Sequence, residues 1–396
     1  MENNKTSVFS NGLIWFGAAV SIAEILTGSL IAPLGFKKGI IAIVLGHFIG
    51  CCLLYMAGLI GANTGKSSME TVKMSFGQKG SIIFSSINII QLIGWTAVMI
   101  ISGAMAANVL LPNISISIWS IIISILVIIW VILGVKSLEK INTIAMGLLF
   151  IVTIILSFVL FKDSNHSILT SGNMTFGSAL ELSIAMPLSW LPLISDYTKS
   201  AKEPKKSTFI SVLVYFIVSC WMYLIGLGAT IITGESDIAM IMLKANLGIA
   251  AIIIIVFSTV TTTYLDVFSA GISSVSIKKN LNPKLVSIIV CIIGLVLVLF
   301  TPITQYENFL YFISSVFAPM ISIQIVDFFY LKKDNSINNF DYLNLGLWFL
   351  GFIIYRIFLK IDTPIGNTLP VMIITAFITI VAAKRKNLKA ITVKLN

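Results

Sequence analysis

Long apolar stretches separated by short polar breaks run through the whole chain. They fall near 9–35, 39–61, 81–109, 115–134, 141–161 and 176–196, then near 208–233, 247–277, 285–300, 304–330, 341–358 and 365–383. A helix needs about 20 apolar residues to cross about 30 Å of hydrocarbon. The breaks carry turn or charge signals, as in GANTGKSS at 61–68, KSLEK at 136–140 and SAKEPKKS at 200–207. The pattern predicts an all-α integral membrane protein of twelve transmembrane helices, with no room for a soluble domain.

Composition narrows this further. Of 396 residues, 57% are hydrophobic and 11% charged, and mean hydropathy is +1.01. A soluble domain carries about 45–50% apolar and about 25% charged residues. A soluble enzyme, a disordered chain, a collagen and a disulfide scaffold are all excluded. The net charge of +10 would suggest nucleic acid in a soluble protein, but topology accounts for it. With the N-terminus placed in the cytoplasm, 20 of the 26 Lys and Arg fall on the cytoplasmic side, a strong positive-inside bias. The expectation is a multi-pass protein of the cell (cytoplasmic) membrane with both termini cytoplasmic. No nucleic acid and no obligatory protein partner are expected. Cys51, Cys52, Cys220 and Cys291 lie inside apolar runs without metal spacing. The first run has no A-x-A-like cleavage site and reads as a retained span.

Candidate chemistry lies where polar groups sit at membrane depth. Burying a charge there costs at least about 2.5–3.5 kcal/mol, so an ionisable residue in mid-span marks function by default. Glu24, Glu181 and Asp266 lie well inside spans; Asp196 and Asp327 sit near cytoplasmic ends, where a solvated or cap-like role is expected. Ser21, Glu24, Thr27 and Gly28 share one helical side in a span crowded with small residues. That face suits helix packing, but packing does not account for its carboxylate, so Glu24 is expected to face a ligand or cation. Asp266 follows a hydroxyl run, Ser258, Thr259, Thr261, Thr262 and Thr263. Such oxygens suit a hard cation; alternatively Asp266 is the protonatable group of a proton-coupled carrier. Gln91 and Trp95 lie at i, i+4, which suits either a planar polar ring held by indole and amide or a packed Trp with Gln bonded between helices. Pro187 and Pro192 flank Ser189 and Trp190 and predict a discontinuous sixth span.

The first and sixth spans, five apart, are thus both interrupted. That layout fits a five-plus-five inverted repeat, 9–161 and 176–330, followed by two extra helices over 341–383.

These residues carry a family resemblance. The segment 61–81, GANTGKSSMETVKMSFGQKGS, resembles the connection between the second and third helices of the nucleobase:cation symporter family, in its bacterial cytosine-permease branch. The resemblance continues through QLIGW, ISDYTK, the Thr run and IVDFFYLKK, and covers nearly the whole chain. Within the branch the chain is similar to the hydroxymethylpyrimidine transporters, whose substrate is a thiamine precursor. The resemblance implies a LeuT-type fold and import of a planar pyrimidine-type heterocycle driven by Na⁺ or H⁺, with no cofactor. Its sodium ligands fall on Phe16, Ala19, Ser258, Thr261 and Thr262, its stacking indole on Trp95, and its other substrate contacts on Val20, Ser21, Ser189 and Thr263. The family's sixth-helix aromatic falls on Pro187, with Trp190 as its replacement. Gln91 stands four residues before Trp95 where the branch has three.

Glu24 and Asp266 depart from the cytosine pattern. A carboxylate accepts two donors from a protonated, amidine-like ring edge, so one of these acids is expected to pair with an aminopyrimidine and to reject uracil-like rings. Two other readings compete. An amino-acid carrier of the same fold is opposed by the Gln91/Trp95 face. An integral-membrane enzyme is opposed by short loops, mid-depth acids and only two histidines, His47 and His166.

Overall fold

In the computed structural model, residues 5–134, 173–234, 248–300, 306–361 and 363–395 are described, with scattered positions between 144 and 158. The first span breaks into α1 (Val8–Ala19) and α2 (Ile22–Leu30), bent by 49°. There follow α3 (Phe36–Thr64), a short α4 (Ser68–Phe76), α5 (Gly80–Leu110) and α6 (Ile116–Leu133). The second half opens with α7 (Phe176–Ser189) and α8 (Ile194–Thr198), separated by a turn at Trp190–Leu193, as the two prolines predict. It continues with α9 (Pro204–Thr233), α10 (Gly248–Ile277), α11 (Pro283–Phe300) and α12 (Tyr306–Ile325), which runs into a π turn. Two helices close the chain, α13 (Tyr342–Phe358) and α14 (Thr368–Leu395).

Among the described residues nine helices are long and apolar enough to cross a membrane, and the bent pair α1–α2 makes ten. Of the other two expected spans, α13 is a shorter apolar helix of 17 residues, and 141–161 lies in large part outside the described residues. The break marked by the turn signal at 61–68 leads into a separate helix, α4, which the span pattern does not predict. Ser67 caps that helix in a capping box with Glu70, a local signal that hydropathy does not register.

The helices pack through small residues. A Cβ at Gly28 would strike the backbone of Tyr223, and one at Gly226 would strike the carbonyl of Ile25, so α2 and α9 cross at backbone contact. Exposed side chains on the outer helices are apolar, as at Ile121, Ile125 and Ile129 of α6 and Ile289, Ile292 and Val296 of α11. Carboxylates and hydroxyls gather inside instead, with Glu24, Glu181, Asp266, Ser258 and Thr262 all buried. This is the distribution a lipid solvent selects.

Candidate binding site

The break in the first span builds the site. Val20 leaves helical geometry and Ser21 is extended, so Ser21 becomes the cap of α2, its Oγ accepting from Glu24 N–H at 3.3 Å. Carbonyls freed by the break turn to α10. Ser258 Oγ donates to Val20 O at 2.5 Å, and Thr262 Oγ1 lies 3.3 Å from Gly17 O. Thr261 and Thr262 also donate to Ser258 O, at 2.9 and 3.0 Å. Backbone and hydroxyl oxygens of two helices therefore converge, as a hard monovalent cation requires. The carbonyls that meet α10 are those of Gly17 and Val20, each one residue past the expected Phe16 and Ala19. Phe16 O accepts from Val20 N–H and Ala19 O from Ser21 N–H.

Beside this seam lies a narrow cavity of about 20 Å³. Of the expected substrate residues, Ser21, Glu24, Trp95, Ser189, Trp190 and Asp266 line it, together with Thr262 of the expected cation set. Ala18, Ala23, Leu92, Met99, Met186 and Leu193 complete the wall. Two indoles and two methionines supply flat, polarisable surface. The lining holds two acids and no basic residue.

Three expected contacts lie elsewhere. Gln91 is fully enclosed between α5 and α10, its amide donating to Asn88 Oδ1 at 2.7 Å while Asn88 donates to Ser273 at 2.8 Å. The bond between helices is thus made by Asn88, while Gln91 is held to its own helix and its Oε1 has no partner among the described residues. Thr263 Oγ1 donates to Thr259 O of its own helix at 2.6 Å. The side chain of Val20 is not in the wall; its carbonyl holds Ser258.

The acids separate by their partners. Asp266 is 4% exposed, lines the cavity, and has no hydrogen-bond partner among the described residues. Glu24 lines the same cavity, yet both its oxygens are engaged: Tyr215 OH donates to one and Ser219 Oγ to the other, each at 2.7 Å. Glu181 lies away from the cavity, at the start of α14. It accepts from Asn367 N–H at 2.7 Å, Thr368 N–H at 2.8 Å, Thr368 Oγ1 at 2.6 Å and Tyr355 OH. Asp196 is buried and accepts from Ser68 N–H at 2.9 Å, capping α4 from α8. Asp327 is buried too, accepting from Asn344 Nδ2 at 2.7 Å. The cap-like reading describes Asp196; Asp327 is instead bonded to a side chain of α13, and both are buried rather than solvated.

Four residues escaped the sequence pattern: His47, Tyr215 and Ser219, which stand behind Glu24, and Asn88, which bonds Gln91 and α10. A His in mid-span was the available signal for the first of them. The pattern also did not foresee that two segments carrying the resemblance touch. Ser195 N–H of α8 donates to Ser68 Oγ at 3.0 Å, beside the Ser68–Asp196 bond.

Comparison with known proteins agrees with this geometry. Residues 2–342 match the family described as permease for cytosine/purines, uracil, thiamine, allantoin. The cytosine permease of Escherichia coli K12 is 23% identical over 325 residues, covering 80% of this chain and 75% of that protein. A purine-cytosine permease of Emericella nidulans is 23% identical over 378 residues, covering 86% and 74%. Among solved structures, Mhp1, a nucleobase-cation-symport-1 family transporter in a closed conformation with bromovinylhydantoin bound, superposes with a TM-score of 0.81. It shares 17% identity, over 97% of this chain and 93% of that one. At that identity the likeness speaks for the fold alone, an all-α helical bundle.

Proposed function

Because the chain belongs to the family of permeases for cytosine/purines, uracil, thiamine and allantoin, we propose that it is a secondary transporter importing a planar pyrimidine-type heterocycle by cation symport. The substrate class is an aminopyrimidine, cytosine-like or hydroxymethylpyrimidine. The observation that carries this reading is the bare Asp266 carboxylate, in a cavity walled by Trp95 and Trp190 and holding no basic residue. A buried polar group without a partner costs free energy until a ligand supplies one. An amino ring edge supplies donors; a uracil edge presents carbonyls to the carboxylate and is repelled. Between the two candidate acids, Asp266 takes this role, since Glu24 already has its acceptors filled.

Cation binding at the α1–α10 seam would organise the broken first span, which also shapes the cavity through Ser21 and Glu24. Coupling between the two sites is reciprocal by linkage. Transport then proceeds by rocking between outward-open and inward-open states, with inverted repeats at about 9–161 and 176–330 and both termini in the cytoplasm. The family is one of permeases, so the membrane-enzyme reading falls.

The test is uptake of labelled cytosine and uracil into liposomes holding the purified protein, under imposed Na⁺ or H⁺ gradients. Accumulation of unaltered cytosine with little uracil is the expected result. Equal uptake of both rings would remove the role of Asp266, and no gradient-driven uptake of either would remove the substrate class.

A further inference from the structure

Behind Glu24 runs a chain of short contacts across four helices. His47 of α3 is fully enclosed. Its Nε2 lies 2.6 Å from Ser219 Oγ of α9, and its Nδ1 lies 2.7 Å from Ser183 Oγ of α7 and 3.0 Å from Ile43 O. Ser219 Oγ lies 2.7 Å from Glu24 Oε2 of α2. The Ser183 hydroxyl donates to Ile43 O at 2.8 Å. Its single hydrogen is thereby used, and a carbonyl has none to give. Nδ1 therefore faces two acceptors and carries a hydrogen itself.

The remaining hydrogens can be counted. Ser219 has one hydroxyl hydrogen and two close neighbours, a carboxylate oxygen and an imidazole nitrogen. If it donates to Glu24, it accepts from Nε2–H, and a doubly protonated His47 stands opposite an ionised Glu24. If it donates to Nε2, it accepts from Glu24, which is then the protonated acid beside a neutral ring. Each arrangement is neutral overall and holds one shared proton. They interconvert when Ser219 takes a proton from one side and releases its own to the other, changing only O–H and N–H bonds. With that proton removed while Nδ1 keeps its hydrogen, two lone pairs would face each other at one of the two short contacts.

We propose that Glu24, Ser219 and His47 form a binding site for one proton, reached from the cavity through Glu24 and loaded in this structure. The groups facing it are Tyr215, Cys220 and Tyr223 from α9, Cys51 from α3, Ser183 from α7, and Asp266 of α10 across the cavity. Of these only Asp266 is a base that could hold a proton, and among the described residues it is hydrogen-bonded to none of Glu24, Ser219 and His47. The site lies apart from the α1–α10 oxygen cluster and gives the carrier a second cation-loading device. Its role in transport rests on the reading above; its existence does not.

The test separates the two. Full-length protein with His166→Gln, labelled with ¹⁵N-histidine and held in lipid, leaves His47 as the one observed ring, followed between about pH 5 and about pH 8. The expected spectrum has a hydrogen on Nδ1 throughout and an Nε2 signal that depends on Glu24. Glu24→Gln fixes the ring as neutral with Nδ1–H at every pH, since the amide donates to Ser219 and Ser219 to Nε2. A ring lacking the Nδ1 hydrogen, or spectra indifferent to Glu24→Gln, overturns the site. A second measurement follows internal pH in liposomes as cytosine enters. Wild type should acidify the interior, and Ser219→Ala should lower protons moved per cytosine by at least about tenfold. Cytosine entry without acidification in wild type overturns the coupling role. If wild type moves no cytosine, the transport reading fails while the His47 spectrum still decides the proton site.

Discussion

Glu181 and Asp266 are both buried carboxylates in the middle of apolar spans, 1% and 4% exposed, and they do opposite things. Glu181 is saturated: two backbone N–H groups and two hydroxyls point at it from the start of α14 and from α13. Its charge sits at a helix N-terminus, where the backbone dipoles favour it. Asp266 has the cavity on one side and no donor among the described residues. Burial therefore does not mark a binding acid in this protein. What separates the two is whether the fold has already supplied the donors. Glu24 stands between them, its oxygens filled by the hydroxyls of Tyr215 and Ser219.

The comparison breaks first at Glu181. Glu181→Ala should destabilise the protein by about 3 kcal/mol or more, because it leaves buried N–H groups at the α14 end unpaired. A thermal melt in detergent reads this; an unchanged melting temperature would mean that the cap is dispensable. Asp266→Asn should do the reverse, leaving the melt within about 0.5 kcal/mol while weakening cytosine binding by about 2 kcal/mol, roughly thirtyfold. A variant that unfolds but binds normally when folded would equate the two acids. Trp95→Ala should weaken binding by about 1.5 kcal/mol through lost stacking, measured as the concentration for half-maximal uptake. Thr262→Ala should lower Na⁺ stimulation of cytosine binding by about tenfold with little change at zero Na⁺.

The smallest effect concerns a carboxylate outside the spans. Burial works to raise the Glu70 pKa, but hydrogen bonds from Ser67 and the charges of Lys199 and Lys73 hold it below the usual carboxylate value. A lowered pKa means that its stabilisation is present above the ordinary carboxylate range and is lost as pH falls through the lowered value. Acidification should therefore loosen the start of α4, seen as faster amide exchange at 68–71. Glu70→Ala should produce that loosening at neutral pH, at a cost of about 1 kcal/mol.

Much of the architecture was legible in the sequence because bilayer thickness imposes a length on each span and because prolines and small residues announce the breaks. The Ser/Thr run of α10 pointed to the α1–α10 seam for the same reason: that density of hydroxyls has no packing rationale. An angle separates Gln91 from the cavity wall. A spacing of four residues at 3.6 per turn leaves two side chains about 40° apart, enough for Trp95 to line the cavity while Gln91 bonds Asn88 of its own helix. Glu181 was unreadable for another reason: its donors lie 174 or more residues away, and no local pattern encodes a remote cap. The same holds for Ser219 and His47, whose hydroxyl and imidazole acquire meaning only where four helices meet.

The two ends of α4 have a bearing on how this chain matures. Its first N–H groups are met by Asp196, 128 residues downstream, and its last carbonyls by backbone and side-chain groups of 335–344, Asn344 reaching Ser75 across 269 residues. Nine residues of helix are too few to hold in water unaided. As the nascent chain leaves the ribosome, α4 therefore has only its Ser67–Glu70 capping box until the sixth span arrives, and nothing to finish it until the segment after the π turn does. A helix made early in synthesis is among the last to settle, and slow closure of such distant contacts makes it a natural indicator of completed assembly. A protease site in the 65–79 segment would be cut in chains truncated before residue 335 and protected in the whole protein.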